Sequence, residues 1–246
     1  MARRAPAAAQ IAAAAGGTAL AGAAIAYWGP ALSVLPPARK ALARVMLSQA
    51  PAGRPEVALT FDDGPDPRLT ERFLAALDGV PATFFWLGQR VRQWPSLAVE
   101  AMERGHEVAC HGDDHRRLAA LGPRATVESL RRAHVAIADA AGRPPRFYRP
   151  AYGVFNLAAW HAAPRLGMRR TMWSRWARDW EARATPELIA SRTVAGLRSG
   201  AILLLHDADG SSGAPERTLR ALPRIIDAIH ERGLRPVTLS RLVAQS

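Results

Sequence analysis

The chain has 246 residues, 49% hydrophobic and 22% charged, a composition that excludes disorder and collagen-like repeats and suits one catalytic-sized domain plus a short appendage. A single cysteine, Cys110, allows no intramolecular disulfide, so the fold must rest on its core. Six of the twelve net positive charges fall in residues 1–55, and the rest are arginines scattered among acids, a pattern that argues against a nucleic-acid partner.

The N-terminal segment comes first and differs from everything after it. Between Arg4 and Arg39 no residue is charged, and residues 7–28 are interrupted only by the polar Gln10 and Thr18. As a hydrophobic helix this stretch is about 33 Å long, enough to span a bilayer. Residues 1–50 are therefore read as a membrane anchor or signal segment with a linker, and Ala24-Ile25-Ala26 is the small-x-small site where a signal is cut. Tyr27-Trp28 suits a membrane interface and favours the retained anchor. An alanine-rich helix packed on the domain is the weaker alternative, because apolar residues surround the helix rather than forming one stripe. Both membrane readings place the remainder outside the cytoplasm, anchored or secreted.

From residue 56 onward short apolar runs alternate with helical patterns. Strands are expected over residues 57–60, 82–86, 106–109, 147–148, 170–173, 201–205 and 235–238. Helices are expected over residues 69–77, 96–104, 126–141, 157–166, 186–198 and 216–232, most of them followed closely by a glycine such as Gly105, Gly142 or Gly233. Seven strands with intervening helices imply a parallel barrel or a doubly wound sheet.

The chemistry gathers at the ends of these strands. After the first comes Thr60-Phe61-Asp62-Asp63-Gly64-Pro65, two adjacent carboxylates at a turn, so that one can bind a metal while the other stays free as a base. After the third comes His111-Gly112-Asp113-Asp114-His115, two imidazoles four apart, which one helical turn puts on a single face. Asp63, His111 and His115 make three ligands and leave a position open, the pattern of a water-activating centre. Arg149-Pro150-Ala151-Tyr152-Gly153, Asp179-Trp180 and Leu205-His206-Asp207 follow the fourth, fifth and sixth strands. In a parallel α/β fold those ends converge on one face, which makes a joint site more economical than separate structural roles for each residue.

These five ordered motifs resemble those of polysaccharide deacetylases with the NodB-type homology domain, carbohydrate esterase family 4. The resemblance covers about residues 56–243, which form the catalytic domain. It implies a distorted (β/α)7 barrel and a divalent metal, usually zinc, with cobalt, manganese or nickel as alternatives. It also implies hydrolysis of N-acetyl groups on an amino-sugar polymer of chitin or peptidoglycan type. Carried over by position, Asp62 is the general base, Asp63, His111 and His115 hold the metal, and His206 is the acid. Arg149 orients Asp62, Asp179 orients His206, the Tyr152 backbone supports the oxyanion, and Trp180 and Leu204 line the acetyl pocket.

Four positions depart from the family pattern. Trp176 stands where the first acid of the fourth motif is usual, Ala151 replaces a common proline, and Asp113 and Asp114 add charge between the metal histidines. The two aspartates are expected to face solvent rather than a second cation. Competing readings are a hydrolase of another amide or an O-acetyl ester, and a non-catalytic carbohydrate-binding relative. The latter has little reason to retain Asp62, Arg149, Asp179 and His206 together.

Overall fold

The computed structural model describes residues 27–208 and 213–244. The expected hydrophobic helix lies outside the described residues except at its end, and there the structure differs from the membrane-interface reading. The Tyr27 hydroxyl accepts from Asn156 Nδ2 at 2.8 Å and lies 3.3 Å from the Leu121 carbonyl, so this ring is tied to the domain. Among the described residues no helix is long and apolar enough to cross a membrane.

Among the described residues eight short strands form one sheet: β1 (Glu56–Asp62), β2 (Thr83–Trp86), β3 (Glu107–Cys110), β4 (Phe147–Tyr148), β5 (Arg169–Arg170), β6 (Arg175–Trp176), β7 (Ile202–His206) and β8 (Arg235–Pro236). The order is β5-β4-β3-β2-β1-β7-β6, with β8 paired to the start of β1, and every strand pairing is parallel. All seven residues of β1 are buried, which explains why it reads as a continuous apolar run rather than an alternating one. Phe61, Phe84 and Trp86 stack across β1 and β2 with ring centroids 5.2 Å apart at each step.

The sheet is a half-barrel of parallel strands, in keeping with the expected distorted (β/α)7 barrel. Of the strand expected over residues 170–173 only Arg170 lies in a strand, β5; β6 begins beyond it at Arg175, and β5 and β6 do not pair with each other. The cause lies upstream of β1. Leu47 donates to the Arg170 carbonyl at 2.8 Å and accepts from Met172 at 2.6 Å, while Ala50 donates to Gly200. This segment takes the backbone groups of residues 170–172 that a neighbouring strand would otherwise use. Met46, Leu47 and Ala50 are buried, so residues read as linker contribute to the core.

Nine α-helices occur among the described residues: α1 (Pro36–Ala41), α2 (Thr70–Ala76), α3 (Gly88–Gln93), α4 (Pro95–Glu103), α5 (Pro123–Ala141), α6 (Leu157–Arg165), α7 (Pro186–Val194), α8 (Ala214–Glu231) and α9 (Leu239–Val243). Three of them, α1, α3 and α9, are five or six residues long and show too little periodicity to be read in advance. Pro123 opens α5 and Gly142, at φ 69°, closes it. In α8 the buried Ala214, Thr218, Ala221, Leu222, Ile225 and Ile229 recur at helical spacing and pack it onto the sheet and α7.

Candidate active site

Parallel register brings the motif residues to one rim. Asp62 ends β1 and pairs with His206 at the end of β7 and with Phe85 of β2. His111 follows β3 and Arg149 follows β4, held by backbone bonds to Trp86 and Cys110 of 2.9 and 3.0 Å. The open rim thus receives side chains from strands far apart in sequence.

Asp63, His111 and His115 present ligand atoms within 4.8 Å of one another. Asp63 Oδ1 is 3.3 Å from His111 Nε2 and 3.1 Å from His115 Nε2. That oxygen is buried and forms no hydrogen bond, an arrangement costly without a cation between the three groups. A carboxylate and two imidazoles suit a borderline-soft divalent ion such as zinc. His111 Nδ1 lies 2.9 Å from the Arg149 carbonyl, which fixes the tautomer that points Nε2 into the site. Burial works against ionisation of Asp63, but the imidazoles of His111 and His115, with the charge of His206, hold its carboxyl well below the usual range.

The two histidines do not share a helical face as their spacing suggests. Residues 111–115 form a loop in which Gly112 has φ 94° and His115 has φ 56°, and the left-handed turns bring the rings to a centroid distance of 5.5 Å. Asp63 is also left-handed, at φ 86°, so it leaves the strand in a direction different from Asp62. Non-glycine residues adopt this region rarely and at a cost, and here two of them, Asp63 and His115, belong to the site.

Asp62 is buried and its Oδ1 accepts from Arg149 Nη1 at 2.5 Å. Arg149 is wholly buried and also donates to Thr60 Oγ1 and to the Met172 carbonyl, each at 3.0 Å, while its guanidinium lies 4.0 Å from the Phe85 ring centre. Burial lowers its pKa, and Asp62 opposes that shift. The other Asp62 oxygen, Oδ2, is 3.8 Å from His111 Nε2.

Opposite stands His206. Its Nδ1 is 2.8 Å from Asp179 Oδ1 and its backbone N–H donates to Asp179 Oδ2 at 2.8 Å. Burial alone would lower the imidazole pKa, but Asp179, aided by Asp63 and Asp62, raises it to about 10. His206 therefore lines the cleft backed by a carboxylate that favours its protonated form.

Tyr152, Leu204, Trp173, Trp176 and Trp180 line a cleft of about 420 Å³ together with these polar groups. Tyr152 sits at φ 60° with its ring 4.7 Å from that of His115. Trp176 sits 5.9 Å from Trp173 and 5.5 Å from Trp180 and is 41% exposed, so the three indoles form an aromatic wall of the cleft.

Several functional neighbours carried no clear signal in the sequence. Asp207 accepts from Trp86 Nε1 at 2.8 Å and from Gly64 N at 3.1 Å, which anchors the Asp62-Asp63 turn. Burial pushes its carboxyl up to about 7. A Cβ on Gly64 would lie 2.3 Å from both Asp207 Oδ2 and Trp86 Nε1, so only glycine fits there. Asp207 adjoins His206, which was its one available clue. Asp113 does not face solvent as expected: it is buried and paired with Arg92 at 2.8 Å and Arg132 at 3.0 Å, bracing the histidine loop. Asp114 pairs with Arg116 nearer the surface.

The polysaccharide deacetylase family model matches residues 49–171. A chitooligosaccharide deacetylase of Sinorhizobium fredii (strain NBRC 101917 / NGR234) is 36% identical over 191 residues, 74% of this chain and 88% of that protein. The chain belongs to the polysaccharide deacetylase family. As a member it is a hydrolase of N-acetyl amide bonds. Among solved structures, it is similar to a peptidoglycan N-acetylglucosamine deacetylase in complex with 4-naphthalen-1-yl-N-oxidanyl-benzamide. That match has TM-score 0.78 and 27% identity and covers 85% of this chain and 97% of that one. A family 4 carbohydrate esterase from Streptomyces lividans, in complex with acetate, matches with TM-score 0.67 and 33% identity over 74% and 91% of the two chains.

Proposed function

We propose that the enzyme removes N-acetyl groups from an amino-sugar polymer of chitin or peptidoglycan type, with Asp62 as base and His206 as acid. The observation that carries this reading is the placement of a carboxylate and an imidazole, each held by a buried partner, across one cleft. A carboxylate held by buried Arg149 faces an imidazole held protonated by Asp179, on either side of the Asp63-His111-His115 set.

Asp63, His111 and His115 would hold a divalent cation, zinc in our reading, which would supply Lewis acidity toward the acetamide carbonyl and the attacking water. Asp62 accepts the proton of that water, and Arg149, bonded to its Oδ1, aims the carboxylate into the cleft. The Tyr152 backbone N–H supports the oxyanion. His206 then protonates the sugar nitrogen, without which an amine anion would have to leave; this general-acid step is worth about 100-fold or more. Trp180 and Leu204 enclose the acetyl methyl.

Exposed Tyr152, Trp176 and Trp180 give the cleft long aromatic walls, which favour a sugar chain over a small cyclic amide. Such polymers lie outside the cytoplasm, which fits the membrane-anchored or secreted placement expected from residues 1–50. The test is acetate release from N-acetylglucosamine oligomers by the full chain with and without added zinc. Zinc-dependent release that Asp62→Asn abolishes while metal content is kept supports the reading. Stoichiometric metal without acetate release from any amino-sugar polymer would sink it in favour of another amide or ester.

A further inference from the structure

We infer that Thr218 is a positioning residue, fastening Asp179 in the orientation that seats the His206 imidazole; the inference rests on the deacetylase reading above. Thr218 lies 39 residues beyond Asp179, on the inward face of α8 and outside the five motifs. It is wholly buried, and its hydroxyl donates to Asp179 Oδ2 at 2.8 Å.

The geometry around Asp179 shows why this bond matters. His206 engages both carboxylate oxygens, Oδ1 through its ring and Oδ2 through its backbone N–H. Those two bonds orient the residues relative to each other. The Thr218 bond ties the pair to a long packed helix. The turn carrying Asp179 is not one the backbone adopts unaided, since Arg178 before it sits at φ 53°. The neighbour of Thr218 on the same helix, Arg217, braces that turn from behind, with Nη2 at 3.0 Å from the Asp179 carbonyl and 3.3 Å from that of Glu181. Two consecutive side chains of α8 thus hold the backbone and the carboxylate of one residue.

A carboxylate freed of one anchor has two rotatable bonds with which to drift, and a misaimed acid slows the step in which the amine departs without weakening substrate binding. The full chain loaded with zinc is compared with Thr218→Val, which keeps the shape and removes the hydroxyl, and with Thr218→Ser, which restores it. Thr218→Val is expected to lower kcat on N-acetylglucosamine oligomers about tenfold with KM within about twofold, and Thr218→Ser to recover most of the loss. Proton NMR provides a readout independent of turnover. The downfield His206 Nδ1–H resonance, identified by its absence in His206→Asn, should move or broaden in Thr218→Val and return in Thr218→Ser. Unchanged kcat or an unchanged resonance in Thr218→Val overturns the inference, as does a serine variant no better than the valine one. If the parent chain releases no acetate, the deacetylase reading fails, and the resonance still decides the role of Thr218.

Discussion

Asp179 grips His206 at two points, ring and backbone, each at 2.8 Å, from a loop 27 residues earlier in the chain. The pair therefore acts as one unit, in which the wholly buried carboxylate sets both the aim and the charge of the imidazole.

Replacing Asp179 by Asn removes the charge that raises His206 and should lower kcat by at least about 100-fold. The same pair makes stability depend on pH. Because the folded-state pKa of His206, about 10, lies above the ordinary value near 6.5, its contribution is fully present below about pH 6.5 and fades as pH rises towards 10. Thermal melts of chelator-treated protein between pH 6 and 10.5 should show a decline that is shallower in Asp179→Asn. Parallel curves would remove the charge coupling.

Asp63 Oδ1, buried without a hydrogen bond between two imidazoles, predicts a clear response to metal removal. Chelation should abolish acetate release, and zinc should restore it. His111→Ala should bind no stoichiometric metal by elemental analysis, whereas Asp62→Asn should bind one ion per chain. A histidine variant that keeps its metal would show that the ligand set is misassigned.

Asp113 braces the loop between the metal histidines through Arg92 and Arg132. The two guanidiniums are partly exposed and can return to water, so Asp113→Ala should cost a modest ~1–2 kcal/mol in chemical denaturation rather than the full cost of a broken buried pair. Zinc affinity should fall with it by about tenfold, as expected when a supporting bond behind a ligand loop is lost. Wild-type affinity in a destabilised variant would mean the loop is held by other contacts.

Trp176 widens the aromatic wall where an acid is usual, and it is exposed to an arriving substrate. Trp176→Ala should raise KM for long oligomers about fivefold while leaving kcat within twofold, with little effect on a small acetylated substrate. Equal losses on long and short substrates would mean that the ring shapes the acetyl pocket instead.

Much of this was readable before the fold was known. The alternation of apolar runs and helical patterns announced a parallel α/β sheet, because each buried strand needs an uninterrupted apolar run and each covering helix an apolar stripe. The five motifs pointed to the family, and residues they contain, from Asp62 to His206, line the cleft, whereas Trp173 and Ala214, which line it too, stood outside them. What they concealed was set by contacts distant in sequence. Leu47 and Ala50 looked like linker, yet their backbone groups occupy the gap that keeps the half-barrel open. His111 and His115 looked like one helical turn, yet left-handed Gly112 and His115 make them a loop.

The sequence alone therefore determined the class of fold, the order of the motifs and the chemistry of the ligands, since these depend on residue type and local period. Tertiary structure alone decided that Asp113 is buried, that Asp207 anchors the Asp62-Asp63 turn, and that Thr218 reaches Asp179 across 39 residues. A hydrogen bond between distant residues leaves no periodic trace in either segment; it exists only once packing has brought donor and acceptor within reach and taken water away from both.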